Sequence, residues 1–351
     1  MKKIYTDILR FFLFAGIGFV VLYFVYQNQS ASYQAQCALD GVPAEKCSLI
    51  DKIITDYRQA NWAWISLVWL AFFLSNVSRA MRWQMLIAPL GYHTKLSNGL
   101  WSILLGYFAN LGLPRMGEIV RASAMSKYEK VPLEKLIGTV VIDRLADFAT
   151  LLLIIGITFL VEFETLWGYI LKMTGNSSSD HSAKIGLLVL LLLFIVALFA
   201  MKKMLPKLRN YAIFTKLEKI ITGFLEGFST IRNLQNPIGF VLHSLFIWLM
   251  YYLMLYFCFQ AYAPTASLGF GATLMVFVFG TFGMIIPSPG GMGTYHALIV
   301  AGLAIYGVAG QDAFSLANIA FFTTQIFFCF FFGILALMVM PVINKNYKVT
   351  T

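Results

Sequence analysis

An all-α, polytopic membrane protein is the fold class that three features of the sequence predict. Apolar runs are long and uninterrupted, as in LLVLLLLFIVALFAM at 187–201; only 12% of residues are charged while 59% are hydrophobic; and the mean hydropathy is +0.76.

Six segments read as full transmembrane helices: 8–26, 62–80, 137–160, 184–201, 238–260 and 313–340. Each is long enough for a hydrocarbon core of ~30 Å. The first follows MKKIYTDILR as a signal peptide would, but no small-residue cleavage pattern comes after it, so it reads as an uncleaved helix. Shorter apolar arms lie at 97–113, 268–286 and 294–309. The longest polar pieces, 27–61 and 202–236, hold 35 residues each and show no strand pattern. The expected organisation is therefore a single membrane domain over 1–351. Within it, 1–61 is the first helix and an external loop, and 62–201 is a first half containing a re-entrant hairpin at 97–126. A cytoplasmic amphipathic helix follows at 202–236, and 237–344 is a second half with a broken hairpin at 268–309. The apolar positions 213, 214, 217, 220, 221, 224, 225, 228 and 231 give that surface helix its one-sided face, whether against lipid or the underside of the bundle.

Orientation follows from Lys and Arg. With a cytoplasmic N-terminus, segments 1–10, 79–95, 115–135, 202–236 and 341–351 carry 3, 3, 5, 7 and 2 of the 26 basic residues, against 3 in 27–61 and 2 in 161–184. That asymmetry predicts a multi-pass protein of the cell membrane with both termini inside. It also accounts for the net charge of +10: the partner is an anionic leaflet, and no nucleic acid is expected.

The same count bears on ANLGLPRMGEIVRAS at 109–123. If 97–113 crossed the bilayer, the basic residues from Arg115 to Lys135 would be stranded outside. The segment is better read as a hairpin that enters from the cytoplasm and breaks at Pro114 to Gly117. IIPSPGGMGTYH at 285–296 has the same grammar, with Pro287, Ser288, Pro289, Gly290, Gly291 and Gly293 between two arms, and would enter from the outer face. Two opposed broken hairpins are the mark of an inverted repeat, and GYFANLGLP at 106 echoes GTFGMIIP at 280. PSPGGMG is expected to need backbone angles or a close approach that a side chain forbids.

Charges inside spans need partners. Asp143 and Asp147 share a helix face, Arg144 lies three residues from Asp147, and all three fall near the bilayer midplane. Arg115, Glu118 and Arg121 of the first hairpin are the expected partners. Two readings of the cluster stand at this point: ion pairs that hold the hairpin in place, or a site for an anionic headgroup assisted by the helix N-termini near Met116 and Thr294. At the second break, Ser288 and Thr294 capping the free amides is the plainer alternative.

No catalytic or cofactor pattern appears. His93, His181, His243 and His296 are isolated, GGMG lacks the context of a nucleotide loop, and no Walker, HExxH or GxSxG motif occurs, so no metal or cofactor is expected. His243 and His296 read as hydrogen-bonded packing residues. Cys37 and Cys47 admit a disulfide in an oxidising compartment; Cys258 and Cys329 lie in spans.

RAMRWQMLIAPLG (79–91), FANLGLPRMGEIVRA (108–122), VVIDRLADF (140–148) and IIPSPGGMGTYHA (285–297) resemble, in order, the motif blocks of the lysylphosphatidylglycerol synthase transmembrane family. That family includes the flippase domain of the bacterial multiple peptide resistance factor. The resemblance covers roughly 60–340. It implies re-entrant elements and movement of lipids with aminoacylated headgroups between leaflets, with the motif residues falling on Pro114, Arg115, Gly117, Glu118 and Arg121, on Asp143, Arg144 and Asp147, and on Ser288, Pro289, Gly290, Gly291 and Gly293. The sequence ends at NKNYKVTT, so a stand-alone flippase-like protein without the synthase domain is expected.

The expected function is translocation of a phospholipid or lipid-linked headgroup, without chemistry on it. Alternatives are a membrane-embedded enzyme acting on a polyprenyl-phosphate or phospholipid, or a non-transporting partner subunit of an envelope enzyme. Expected partners are a membrane lipid with an anionic headgroup or a lipid-linked substrate, and a homo-oligomer or envelope-enzyme partner is compatible with such a chain.

Overall fold

Helices that are apolar around most of their circumference can satisfy their backbone only by spanning lipid or filling a bundle. The computed structural model describes residues 2–40, 42, 43, 45, 47–112, 115–173 and 234–345. Among these residues every extended element is helical, and four helices are long and apolar enough to cross a membrane: Trp62–Leu90, Leu133–Val161, Pro237–Ala261 and Gly310–Ile343.

In chain order, α1 is Lys2–Leu39, α2 Leu49–Gln59, α3 Trp62–Ile87, α4 Leu96–Gly112, α5 Gly117–Glu129 and α6 Leu133–Val161. Then come α7 Phe163–Met173, α8 Pro237–Ala261, α9 Phe270–Ile285, α10 Thr294–Ala304 and α11 Gly310–Ile343. A π-helical stretch, Phe322–Phe330, interrupts α11. The expected span at 184–201 and most of the expected surface helix at 202–236 lie outside the described residues.

Two helices form the spine. Asn61 caps α3 by accepting from the Ala63 amide at 3.0 Å, and Asn236 caps α8 by accepting from the Gly239 amide at 2.8 Å, with Pro237 in the first turn. The pair runs antiparallel: the Asn61 amide donates to the Ala261 carbonyl at 2.9 Å, while Ser78 and His243 meet at 2.8 Å farther along.

Both expected hairpins are present. α4 leaves from the Ile87 end of the spine and α5 returns to it; α9 leaves from the Ala261 end and α10 returns there. The open end of the first hairpin is tied down by a reciprocal amide pair, Asn98 with Asn344, at 2.9 and 2.8 Å. The open end of the second carries Tyr306, whose hydroxyl donates to Glu162 at the end of α6, 2.8 Å away. The hairpins therefore enter from opposite ends of the spine and their tips meet. Arg115 donates to the Ile285 carbonyl at 3.3 Å, and a Cβ on Gly290 would come within 3.0 Å of Leu111.

Glycine sets how closely the arms pair. A Cβ on Gly106 would lie 2.8 Å from the Gly117 carbonyl oxygen, and one on Gly283 would lie 2.7 Å from the Tyr295 Cα.

Segment 27–61, expected as a loop, is largely helical. Residues 27–39 contain neither Pro nor Gly, so nothing stops α1 at the edge of its apolar run. Cys37 and Cys47 are joined in a disulfide, and Ser48 caps α2 through the Asp51 amide at 3.3 Å. Lys52 then docks α2 on the bundle, pairing with Asp56 at 2.6 Å and with Asp312 at 2.8 Å, while the Tyr262 hydroxyl bonds the same two carboxylates. Burial pushes the Lys52 ammonium down, but Asp312 and Asp56 more than offset this and hold it above its ordinary value.

Candidate functional site

Asp143 and Asp147, one turn apart on α6, are buried, with 0% and 6% of their surface exposed. A carboxylate at this depth needs cations, and α3 supplies the nearest. Arg82 Nη2 lies 2.6 Å from Asp143 and 2.7 Å from Asp147; Arg79 Nη1 lies 2.9 Å from Asp147 and 3.3 Å from Asp143. The first hairpin adds Arg121, 3.0 Å from Asp143 and 2.9 Å from Glu118. Arg144 closes the set by pairing with Glu118 and, at 3.2 Å, with Asp147.

Neutral groups complete the shell. Arg82 also donates to Ser244 at 2.9 Å, and Arg79 to the Tyr251 hydroxyl at 3.3 Å, which in turn shares a 3.0 Å hydrogen bond with Tyr107. Three guanidinium groups lie over aromatic rings: Arg121 over Trp83 at 5.0 Å, Arg82 over Phe240 at 5.6 Å and Arg79 over Tyr251 at 5.9 Å. Three helices, α3, α6 and α8, and the first hairpin thus converge on one cluster.

Beside it lies a cavity of about 440 Å³. Arg79, Arg144 and Asp147 form its charged end, and Phe72, Leu151, Trp248, Met254 and Phe277 are among the rings and aliphatic chains of its wall. Phe148, Met284 and Ile285 also line it and are 51%, 39% and 47% exposed, so it opens sideways between α6 and α9 onto the apolar outer surface. This amphiphilic shape suits a molecule with a polar head and hydrocarbon chains.

Of the residues expected to converge, Glu118, Arg121, Asp143, Arg144 and Asp147 do so, and Arg115 does not. Arg115 occupies the left-handed region, φ +65°, in the turn before α5, and its side chain donates to the Ile285 carbonyl of the second hairpin and to none of the cluster's carboxylates. Pro114 lies outside the described residues. Gly117 starts α5, and its amide donates to Asn110 at 2.8 Å, so an Asn side chain takes the first amide that could have met an anion.

At the second break, Gly290, Gly291 and Gly293 have φ of +59°, +80° and +79°. Pro287 is exposed; Ser288 and Pro289 are buried. Thr294 donates to the Gly283 carbonyl at 2.7 Å and meets Ser288 at 3.1 Å, so its hydroxyl ties the two arms together through a carbonyl and is not an amide cap. His243 bonds Ser78, and His296 is buried against Phe314 and Phe321.

The residues that sequence reasoning missed are Arg79 and Arg82, together with Tyr107, Ser244 and Tyr251. The basic-residue count puts both arginines in the cytoplasmic segment 79–95, at and beyond the edge of a span read as 62–80. The helix runs to Ile87, and at ~1.5 Å per residue this leaves Arg79 about 12 Å and Arg82 about 8 Å inside its end. The available signal was their i, i+3 spacing in RAMRW, with MLI still to come.

Comparison with known proteins places this site in a family. The profile of the lysylphosphatidylglycerol synthase TM region matches residues 49–333, which includes every residue of the cluster and both hairpins. This is the flippase-like membrane region of those synthases and not their catalytic part. A UPF0104 membrane protein of Methanocaldococcus jannaschii is 34% identical over 106 residues, which cover 29% of this chain and 32% of that protein. The match therefore spans about a third of that relative's length. No solved structure matches the chain. With most of its length matched by a single profile, the chain belongs to the lysylphosphatidylglycerol synthase TM region family.

Proposed function

We propose that the protein moves a lipid with an anionic headgroup between the leaflets of the cell membrane, with both termini in the cytoplasm. The observation that carries this reading is the cavity, whose charged end sits among the buried ion pairs and whose apolar wall opens sideways toward lipid. Arg144 and Arg79 receive the headgroup; Glu118, Asp143 and Asp147 offset the arginines; and the two opposed hairpins bend at their breaks to pass it across.

The orientation is supported by charge. Setting aside Arg79, Arg82, Arg115 and Arg121 as embedded takes the inner-side total from 20 to 16, still against 5 on the other side. That the two hairpins form an inverted repeat is supported by their opposed entry and by the glycines of the two echoing segments, Gly106 and Gly280, each facing its hairpin's second arm.

The test is reconstitution into vesicles carrying head- or tail-labelled lipid, with a membrane-impermeant quencher added outside. Wild-type protein is expected to expose inner-leaflet label well above the rate of empty vesicles, and Arg144→Gln to reduce it to that rate while still inserting and folding. Rates equal to empty vesicles for both a phospholipid and a polyprenyl phosphate would remove the reading.

A further inference from the structure

The charges of the buried cluster do not cancel. Arg79, Arg82, Arg121 and Arg144 face Glu118, Asp143 and Asp147 through contacts of at most 3.3 Å, four cations against three carboxylates. The other titratable groups on the cavity wall are Tyr107, Tyr251, Tyr295, Cys258 and Cys329, phenols and thiols with no further carboxylate or amine among them. Arg115 lies outside the cluster on the Ile285 carbonyl.

We propose that the site is built for a headgroup with one net negative charge, a phosphodiester lipid whose head carries no cation. This rests on the lipid-translocation reading and narrows its substrate.

The surplus charge has a definite place. Arg82 is fully buried and bound through both of its Nη atoms, and Arg121 is held by Glu118 and Asp143. The side chain of Arg144, in contrast, is 44% exposed, and it lines the cavity beside Arg79. One negative charge at that end brings the cluster to neutrality, and an unbalanced charge away from water is costly. A doubly charged phosphomonoester leaves the cluster negative. A zwitterionic or aminoacylated head leaves it positive or more so. The same anion could come from a free phosphodiester, but the apolar wall and the sideways opening between α6 and α9 favour a lipid.

The experiment is lipid competition read by native mass spectrometry of the purified protein. Phosphatidylglycerol is compared with phosphatidylcholine and lysyl-phosphatidylglycerol at neutral pH, and with phosphatidic acid in alkaline buffer where the latter carries two charges. Phosphatidylglycerol is expected to be retained over each of the others by about tenfold or more, a difference of about 1.4 kcal/mol. Glu118→Gln raises the surplus to two and should move the preference to phosphatidic acid. Arg144→Gln removes the surplus and should abolish the preference for an anion. Combining the two restores a surplus of one, with Arg79 still at the cavity, and should restore phosphatidylglycerol.

Equal retention of phosphatidylcholine or lysyl-phosphatidylglycerol by the wild type would overturn the proposal, and that measurement needs no variant to fold. An unchanged preference in folded Glu118→Gln would also overturn it. Displacement of the lipid by dimethyl phosphate at equal concentration would assign the site to a free anion and overturn the lipid part. If the selectivity holds but reconstituted vesicles show no translocation, the transport reading alone falls. If translocation holds for a neutral or cationic lipid, the charge proposal alone falls.

Discussion

Replacing Asp143 by Asn is the sharpest perturbation of the buried cluster, because three arginines converge on that one carboxylate. Arg82 approaches to 2.6 Å, Arg121 to 3.0 Å and Arg79 to 3.3 Å, and Asp143 has no exposed surface. The substitution keeps the shape and removes the charge, leaving four cations against two carboxylates. Breaking a buried set from one side costs about 3–5 kcal/mol.

Arg82→Met should cost less, about 1–3 kcal/mol, since Asp143 and Asp147 each keep other arginines and the Ser244 hydroxyl keeps its hydrogen bond to the Phe240 carbonyl. Made together, the two changes remove one cation and one anion that touch each other, so the double variant should be more stable than the sum by about 2–3 kcal/mol. Unfolding in mixed micelles, followed for the wild type, both single variants and the double, gives this coupling directly. Strict additivity would refute the idea that Arg82 serves Asp143. The double variant keeps Arg79 and Arg144 at the cavity and a surplus of one charge, so it should also keep its lipid selectivity.

Gly117→Ala should destabilise by about 1–3 kcal/mol and slow translocation, because its Cβ would strike the Gly106 carbonyl and push α5, with Glu118 and Arg121, off the cluster; Gly138→Ala, whose Cβ meets nothing within 4 Å, is the neutral control in the same two assays. Lys52→Met should cost about 1 kcal/mol in thermal unfolding near neutral pH. The folded-state pKa of Lys52 is raised, so its contribution is fully present below the ordinary lysine value of about 10.4 and is lost as pH rises through the folded value; the gap between wild type and variant should be flat from about pH 6 to 9 and close only above about pH 10.4. A single cysteine at Lys127 should react with a membrane-impermeant reagent only from the cytoplasm, and one at Asp51 only from outside. Labelling of position 127 from outside would invert the orientation or turn α4 into a full span.

The class, the opposed breaks and half of the site are legible in the amino-acid sequence alone. Hydropathy and length are local quantities, so four spans, the two interrupted hairpins and the facing of Asp143 and Asp147 could be read directly from period and composition. Glycine at 290, 291 and 293 likewise announced positive φ, since backbone sterics act within a few residues. Cys37 and Cys47 announced only that a bond could form. Which cation meets which carboxylate was a tertiary matter: Arg79 and Arg82 are more than sixty positions from their partners in sequence, and only the packing of α3 against α6 and α8 brings them there. Arg115 shows the converse. It is near the cluster in sequence, yet from a left-handed position in the turn it donates to the other hairpin. Charge in a membrane must be paired, which the sequence could state as a requirement; the choice of partner depends on helix neighbours and on the rotation of a single turn, and these are fixed by packing across the whole fold.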